Sequence, residues 1–360
     1  MFNNFLETKT TVISKIALFV IPGFVALSTT LISCTSISNT NTADPKAEPV
    51  GAKTINFKTK LLRIGYQSSG DLVRVRGVLE KRLEPLGLKV EWAQFAQGPQ
   101  LMEAMNVGKI DIGSVGETPP IFAQAAGARI VYLAGRRLGP NSGKGSAIAV
   151  PKGSPIKTLA DIKGKEVVFQ KGSASHYFII KALEEVGLKY TDIKVLSMPN
   201  VEARGAFIEG NIPVWVTGDP HLALVEKLYG ARVLRDATNI GTPGGYYVGT
   251  REFAKENPEL LRIILEEIDK NGQWAEANRK EVAKLIAPVL KIDLPIQEII
   301  SGRATYRIKG ITPELMKAQQ SVADLFYNEK ILPKKIDVQE ALLTPQEYTA
   351  ITPPTLISEK

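Results

Sequence analysis

Residues 110–126, IDIGSVGETPPIFAQAA, place an apolar strand, a glycine-bounded turn and a proline-started helix in one short stretch of chain. Ile110 and Ile112 alternate with smaller or polar neighbours, so the spacing predicts a strand over 110–114. Gly113 and Gly116 let the backbone approach a ligand, and Thr118 ahead of Pro119 reads as an N-cap before the first helical residue. The first amides of such a helix have no carbonyl a turn earlier to bond, and they lie at the positive end of the helix dipole. A turn of this kind attracts an anion without a charged side chain. The same arrangement also serves as a plain connection in α/β folds, so it speaks for the fold class before it speaks for a ligand.

The flanking sequence keeps the same rhythm. Leu61–Tyr66 reads as a strand, followed by an amphipathic helix with Leu72, Val75, Val78, Leu79 and Leu83 on its apolar face and Gly87 as its stop. Val90–Phe95 is a second strand, Gly98-Pro99 opens a helix that ends at Gly108, and Ile130–Ala134 is a strand after the 119–126 helix. Strands alternating with helices predict a mostly parallel sheet with helices packed on it. After GPNSGKG (residues 139–145), Ala147–Val150 reads as a strand leaving this first lobe. A second β-α run follows: strand Glu166–Phe169, helix Tyr177–Val186, strand Ile193–Leu196, helix Val201–Glu209, and a strand over Val214–Val216 ending at Gly218-Asp219-Pro220. Tyr246–Gly249 reads as a returning strand. From Asn257 and Pro258 onward the chain is mostly helical, with Leu260, Leu261, Ile264, Leu265 and Ile268 as the buried stripe.

Lys9 and Lys15 precede an apolar run from Ile16 to Ile32 that Pro22 and Gly23 interrupt, as in a secretory signal. Leu31-Ile32-Ser33-Cys34 closes it as a lipobox-like site, and Cys34 is the only cysteine in the chain. These features predict cleavage before Cys34 and a lipid anchor on its thiol. Residues 35–57 are rich in Ser, Thr, Asn, Pro and Ala and read as a tether. The remaining stretch of about 300 residues is more than one core usually supports, so two lobes are expected. The expected organisation is a signal peptide over 1–33, a tether over 34–57, a first lobe from 58–145 plus 246–345, a second lobe over 146–245, and a tail over 346–360.

The net charge of +8 is spread over isolated lysines and arginines, and Lys9 and Lys15 against Glu7 leave +1 of it in the leader. No basic run interleaved with aromatics occurs, which argues against nucleic-acid binding. With two histidines and one cysteine, His/Cys metal clusters and Cys/His catalytic pairs are excluded, and no cofactor or metal is expected. A Ser-His-Asp site built on Ser173 or Ser175, a histidine and Asp219 stays open by composition, although no G-x-S-x-G elbow supports it. Gln67-Ser68-Ser69-Gly70 and Gly172-Ser173-Ala174-Ser175 resemble the 116–118 turn in composition, and all three follow predicted strands. Ligands of open α/β sheets gather outside the carboxyl ends of strands, so the three turns are expected to converge on one cleft between the lobes. Arg136 and Arg137 follow a strand at that same end, where one of them can pair with an oxyanion. Trp215 and Tyr246 are candidate apolar walls for an organic tail.

Four stretches carry a resemblance to a known family: LRIGYQ (62–67), GPQLMEAMNVGKIDIGSVGETPPIFAQAAGA (98–128), VVFQKGSASH (167–176) and ADLFYNEKILPKKIDV (323–338). Over about residues 61–340 the chain resembles the substrate-binding proteins of ABC importers for aliphatic sulfonates, within the wider group that binds nitrate, taurine and thiamine precursors. The resemblance implies a two-lobed, periplasmic-binding-protein-like (type II) α/β fold, each lobe a mostly parallel sheet flanked by helices, with two chain crossings between lobes. It implies a monomeric, non-enzymatic protein, exported to the periplasm or the outer face of the cell membrane, that delivers a small organic sulfonate to a permease driven by an ATPase. Carried onto matching positions, it implies ligand contacts at Gln67, Gly116, Glu117, Thr118, Ser173 and Ser175, with Trp215, Asp219 and Gly245 lining the cleft. Taurine, nitrate or a thiamine precursor is the alternative ligand, and an exported serine hydrolase the alternative class. A sulfonate stays ionised across the physiological range and offers no donor, which suits N–H and hydroxyl donors. Glu117 is the awkward residue in an anion site.

Overall fold

Two mixed β-sheets organise the chain in a computed structural model that describes residues 57–67 and 71–357. The predicted signal segment, Cys34, the tether up to residue 56 and Ser68-Ser69-Gly70 lie outside the described residues. The first sheet contains β1 (Leu61–Gln67), β2 (Lys89–Phe95), β3 (Ile112–Val115), β4 (Ile130–Arg136), β10 (Tyr246–Thr250) and β11 (Ile308–Lys309). The second contains β5 (Ser146–Val150), β6 (Glu166–Phe169), β7 (Lys194–Ser197), β8 (Trp215–Gly218) and β9 (Arg232–Asp236).

Strand order in the first sheet is β11-β4-β10-β3-β1-β2 and in the second β7-β6-β8-β5-β9. β1 runs parallel to β2 and β3, whereas β10 is antiparallel to both β3 and β4. In the second sheet β6 is parallel to β7 and β8, and β5 is antiparallel to β8 and β9. The chain therefore crosses between the lobes twice, after β4 and after β9, and Tyr246–Thr250 is the returning strand expected from sequence.

Each sheet is covered by the apolar faces of its helices. Leu260, Leu261, Ile264, Leu265 and Ile268 of the 20-residue helix Pro258–Ala277 are all at most 3% exposed, as their spacing predicted. Each such Leu or Ile contributes roughly 1.5–3 kcal/mol by leaving water. Leu260, Leu261, Ile264, Leu265 and Ile268 share a core with Leu62, Ile64, Val131 and Leu133 of the first sheet. Phe57, expected at the end of the tether, is buried in that core.

Several expectations change. The single helix over 72–83 is two helices, Leu72–Arg76 and Val78–Leu83, because Gly77 adopts φ 60° and its amide bonds back to the carbonyls of Val73 and Arg74. Only glycine takes that left-handed conformation without penalty, so the helix closes there. The segment expected as a tail is instead packed on the first lobe: helices Pro345–Ile351 and Pro354–Ile357 bury Ile351 and Leu356 in its core, and the Tyr348 hydroxyl donates to the Tyr132 carbonyl at 2.8 Å. β9 and β11 leave no clear signal in the sequence. β9 is a half-buried edge strand with charged residues at both ends, and β11 spans two residues, so neither shows an apolar alternation.

Candidate functional site

The carboxyl ends of β1, β3, β4 and β8 and the turn after β6 open onto a cavity of about 480 Å³ between the lobes. Gln67, Gly116, Glu117, Arg136, Ser175, Asp219 and Gly245 line it. The first lobe supplies the helix start at 116–118, and the second supplies the start of helix Ala174–Glu185. The two starts touch: a Cβ built on Gly116 would lie 3.0 Å from the Cβ of Ala174.

Pro119 and Pro120 at the start of helix Thr118–Ala125 carry no N–H, so the first-lobe turn has only the amides of 116–118 to offer. The second-lobe helix adds the amides of Ala174 and Ser175. Ser173 is its N-cap in extended conformation, but the hydroxyl donates at 2.7 Å to the Gln170 carbonyl instead of facing the cavity.

Arg136 stands at the end of β4. Its Nη2 donates to Ser114 Oγ at 2.6 Å and its Nη1 to the Thr305 carbonyl at 3.4 Å, and the guanidinium lies 5.8 Å from the Tyr247 ring centre. Gly245 makes room for it, since a Cβ there would come within 2.6 Å of the Val115 carbonyl oxygen and 3.4 Å of Arg136 Nε. Gln67 crosses from β1 to β3, its Nε2 donating to the Ser114 carbonyl at 3.0 Å. Arg137 faces elsewhere and borders a separate recess with Glu276 and Arg307.

Three carboxyls border the cavity with shifted protonation: Asp71, which burial pushes up against the opposing pull of the Arg74 amide and the Arg136 guanidinium, Glu117 and Asp219. Glu117 is 4% exposed, and burial pushes its carboxyl up to about 7, against the opposing pull of its own amide and the hydroxyls of Thr242 and Thr118. Its backbone carbonyl accepts from Gln319 Nε2 at 2.7 Å, fixing the turn to the C-terminal helices. Asp219 is pushed up to about 6, chiefly by burial and partly offset by Arg303. Asp219 Oδ1 accepts from the Ala223 amide at 3.0 Å and lies 3.5 Å from Arg303 Nη1, which also bonds Glu226 Oε2 at 2.9 Å.

Four expected site residues lie away from the cavity. Thr118 is fully buried, with its hydroxyl 3.5 Å from Glu117 Oε1, and it begins the helix while Glu117, already in helical conformation, occupies the cap position. Ser173 is engaged as described. Trp215 starts β8, fully buried against Phe207 in the core of the second lobe at a ring distance of 5.4 Å. The cleft opens at the other end of that strand. Tyr246 is likewise internal, stacked edge-on to Tyr132 at 4.8 Å, while its neighbour Tyr247 lines the cavity.

Sequence reasoning missed a whole wall. Ile268, Asn271, Val282, Ile286, Gln297 and Ile300 come from the helices Pro258–Ala277, Arg279–Leu290 and Leu294–Arg303, and with Leu72 and Tyr306 they close one side of the cavity. Nothing in their local sequence separates them from ordinary core positions.

The hydrolase constellation does not assemble around His176. The Gly172 amide donates to its Nδ1 at 3.2 Å, so its proton sits on Nε2, which is 2.9 Å from the Tyr190 hydroxyl. Burial pushes that imidazole down to about 3. Among the described residues no group of three or more His, Cys, Asp or Glu side chains is arranged to hold a metal, and no helix is long and apolar enough to cross a membrane.

The NMT1-like family pattern matches residues 57–287. The chain is 38% identical over 290 residues to the Escherichia coli (strain K12) protein named "Putative aliphatic sulfonates-binding protein", covering 79% of this chain and 89% of that one. Among solved structures, the alkanesulfonate-binding protein SsuA from Xanthomonas axonopodis pv. citri, bound to MOPS, superposes with a TM-score of 0.76 at 33% identity, over 80% of this chain and 99% of that one. The periplasmic aliphatic sulphonate binding protein SsuA from Escherichia coli superposes with a TM-score of 0.71 at 37% identity, over 80% and 93% of the two chains. These relatives are binding proteins, and they share the two-lobed architecture described above. The chain belongs to the NMT1-like family, as a relative of the alkanesulfonate-binding proteins.

Proposed function

We propose that this protein captures an aliphatic sulfonate between its lobes and hands it to an ABC importer for sulfur acquisition, without chemical change to the ligand. One observation carries the reading: the helix starts at 116–118 and 174–175, one from each lobe, meet at the cavity beside Arg136. Fixed N–H donors and a guanidinium suit a permanently ionised, tetrahedral oxyanion. A ligand held by both lobes favours their closed arrangement, and closure is a signal that a permease can read. The similarity to sulfonate-binding proteins supports the same ligand class.

The reading extends to the leader. The protein is exported, cleaved before Cys34 and held at the membrane by a lipid on that residue, working as a monomer next to its permease. Residues 57–145 with 246–357 form one lobe and 146–245 the other. Gln67, Gly116, Glu117, Arg136, Ser175, Asp219 and Gly245 touch or border the ligand. Mass spectrometry of the membrane fraction tests the anchor, which fails if Cys34 carries a free thiol.

Thermal-shift titration with methanesulfonate, a longer alkanesulfonate, taurine and nitrate tests the ligand class, because a ligand that binds only the native state must stabilise it. A rise in melting temperature with sulfonates and recovery of unchanged ligand are expected. A rise with nitrate and none with any sulfonate would refute the proposal.

A further inference from the structure

A second contact joins the lobes outside the cavity, and a histidine lies inside it. His176, in the first turn of helix Ala174–Glu185, is fully buried among four aromatic rings. Two belong to its own lobe: Phe169 at the end of β6, with ring centres 5.2 Å apart, and Tyr190 at 5.3 Å. The other two come from the first lobe: Phe326 of helix Pro313–Asn328 at 5.0 Å and Phe122 of helix Thr118–Ala125 at 6.0 Å, with these phenyls edge-on to each other at 5.1 Å. Neither crossing between the lobes, 137–145 or 237–245, supplies a ring. Phe122 and His176 stand on the two helices whose starts meet at Gly116 and Ala174, so lobes that part at those starts also draw the phenyls off the imidazole.

In this sealed arrangement the ring has no place for a second proton. Its Nδ1 accepts from the Gly172 amide at 3.2 Å and its Nε2 faces the Tyr190 hydroxyl at 2.9 Å. A proton on Nδ1 would set two N–H groups against each other and leave a charge where water does not reach. The neighbours do not offset that cost. The Tyr190 phenol is pushed up to about 12 by burial and stays neutral, the three phenyl rings carry no charge, and Lys171 adds to burial in lowering the imidazole. Helix Thr118–Ala125 has no ionisable side chain, and Glu314, Lys317 and Asp324 of helix Pro313–Asn328 leave the imidazole unmoved.

Resting on the lobe closure proposed above, we infer that His176 couples closure to proton release: the ring takes up a proton when Phe122 and Phe326 withdraw, and gives it up before they seal over it again. Uncovered, an imidazole titrates near its ordinary 6.5, whereas the sealed one is held down to about 3. Between those values closure on a ligand expels one proton, so each unit of pH below about 6.5 weakens binding by up to about tenfold. A sulfonate does not titrate in that range, so the dependence belongs to the protein. The sign is opposite to that of Glu117, whose ionisation disfavours the anion as pH rises.

Proton NMR of the full chain, in buffers without a sulfonate group, follows the ring signals of the two histidines against pH with and without saturating pentanesulfonate; the signal lost in His221→Gln assigns the pair. The His176 pKa is expected to fall by about one unit or more when pentanesulfonate binds. Isothermal titration with pentanesulfonate at pH 7 and pH 5 gives the second readout. The unaltered chain is expected to lose about tenfold more affinity between those values than His176→Phe, which keeps an aromatic ring in the contact and cannot titrate. Groups that titrate in both chains cancel in that ratio. A His176 signal that titrates at one pH with and without pentanesulfonate, or equal losses of affinity in the two chains, overturns the coupling. The NMR measurement needs no change at His176, so it decides the matter if His176→Phe fails to fold. A chain that binds no sulfonate at pH 7 overturns the proposed function and this inference together, whereas binding at pH 7 with an unmoved His176 overturns this inference alone.

Discussion

Gly116 at the end of the first-lobe strand β3 faces Ala174 at the start of a second-lobe helix, with room for a hydrogen and no more: a Cβ on Gly116 would stand 3.0 Å from that of Ala174. The pair sets how closely the two anion-attracting turns approach. Gly116→Val is expected to prop the lobes apart and weaken sulfonate binding at least tenfold, about 1.4 kcal/mol, with a smaller effect on melting temperature. Gly116→Ala should weaken binding less, and Ala174→Gly in the same chain should restore it. Calorimetric titration of the single and double variants checks this as a double-mutant cycle. Strict additivity of the two substitutions would mean that this contact does not control the cleft.

Glu117 makes stability depend on pH. Its folded-state carboxyl is raised from 4.5 to about 7 by burial, so between those values the folded chain keeps a proton that the unfolded chain releases. Stability therefore falls as pH rises through that window, by an amount on the order of 3 kcal/mol once pH exceeds 7. The surrounding Tyr177 and Tyr246 hydroxyls are themselves pushed upward by burial and stay neutral there. Glu117→Gln should melt several degrees higher than the unaltered protein at pH 8 and close to it at pH 5. It should also remove a loss of sulfonate affinity between pH 6 and 8, since an ionised carboxylate repels the anion. A Gln variant that melts lower at both pH values would show that the carboxylate is held ionised.

Arg136 lines the cavity together with Gly116 and Glu117 and packs against Gly245. Arg136→Ala is expected to weaken sulfonate binding by a hundredfold or more, in the range of 2–5 kcal/mol seen when a buried charge partner is removed. Arg136→Lys should recover little of it, because an ammonium cannot keep the Ser114 and Thr305 hydrogen bonds in one plane while facing the ligand. Equilibrium titration in low and physiological salt checks both variants; tight binding by Arg136→Ala would move the anion contact elsewhere.

Trp215 separates packing from recognition. Its indole fills the second-lobe core against Phe207 and Leu222, so Trp215→Ala should cost about 3–5 kcal/mol of stability. Trp215→Phe should lower the melting temperature and leave sulfonate affinity within twofold. A large affinity change with an unchanged melting curve would return Trp215 to the binding site.

The legible parts of the molecule were those written locally. The glycine-bounded turns at 113–118 and 172–175 follow short apolar strands, and that order alone places them at the carboxyl ends of parallel strands facing one cleft. Trp215 shows where such reading stops. Around the start of β8 successive side chains face opposite sides, with Val214 just before the strand and Val216 within it in the large shared core and Trp215 in the second-lobe core. The cleft begins at Gly218 and Asp219, three or four residues on, or roughly 10–13 Å along a strand. Which side and which end an aromatic serves depends on partners such as Phe207 that the local sequence does not display. The helix wall of Val282, Ile286 and Gln297 was hidden for a related reason. Val282 and Ile286 lie on an ordinary amphipathic helix, and only its folded packing against Leu72 turns part of that buried stripe toward the cavity; the helix that carries Gln297 shows no such stripe at all. Gly77 gives no break in the sequence, because a glycine inside an apolar period is compatible with one helix until its left-handed conformation is seen.

The central claim is that both lobes grip one sulfonate, and a crystal structure of the full chain with an alkanesulfonate tests it most directly. The account predicts the sulfonate oxygens within hydrogen-bond distance of backbone amides in both 116–118 and 174–175 and of the Arg136 guanidinium. A sulfonate bound by one lobe alone, or lying away from Arg136 and the two helix starts, would contradict it.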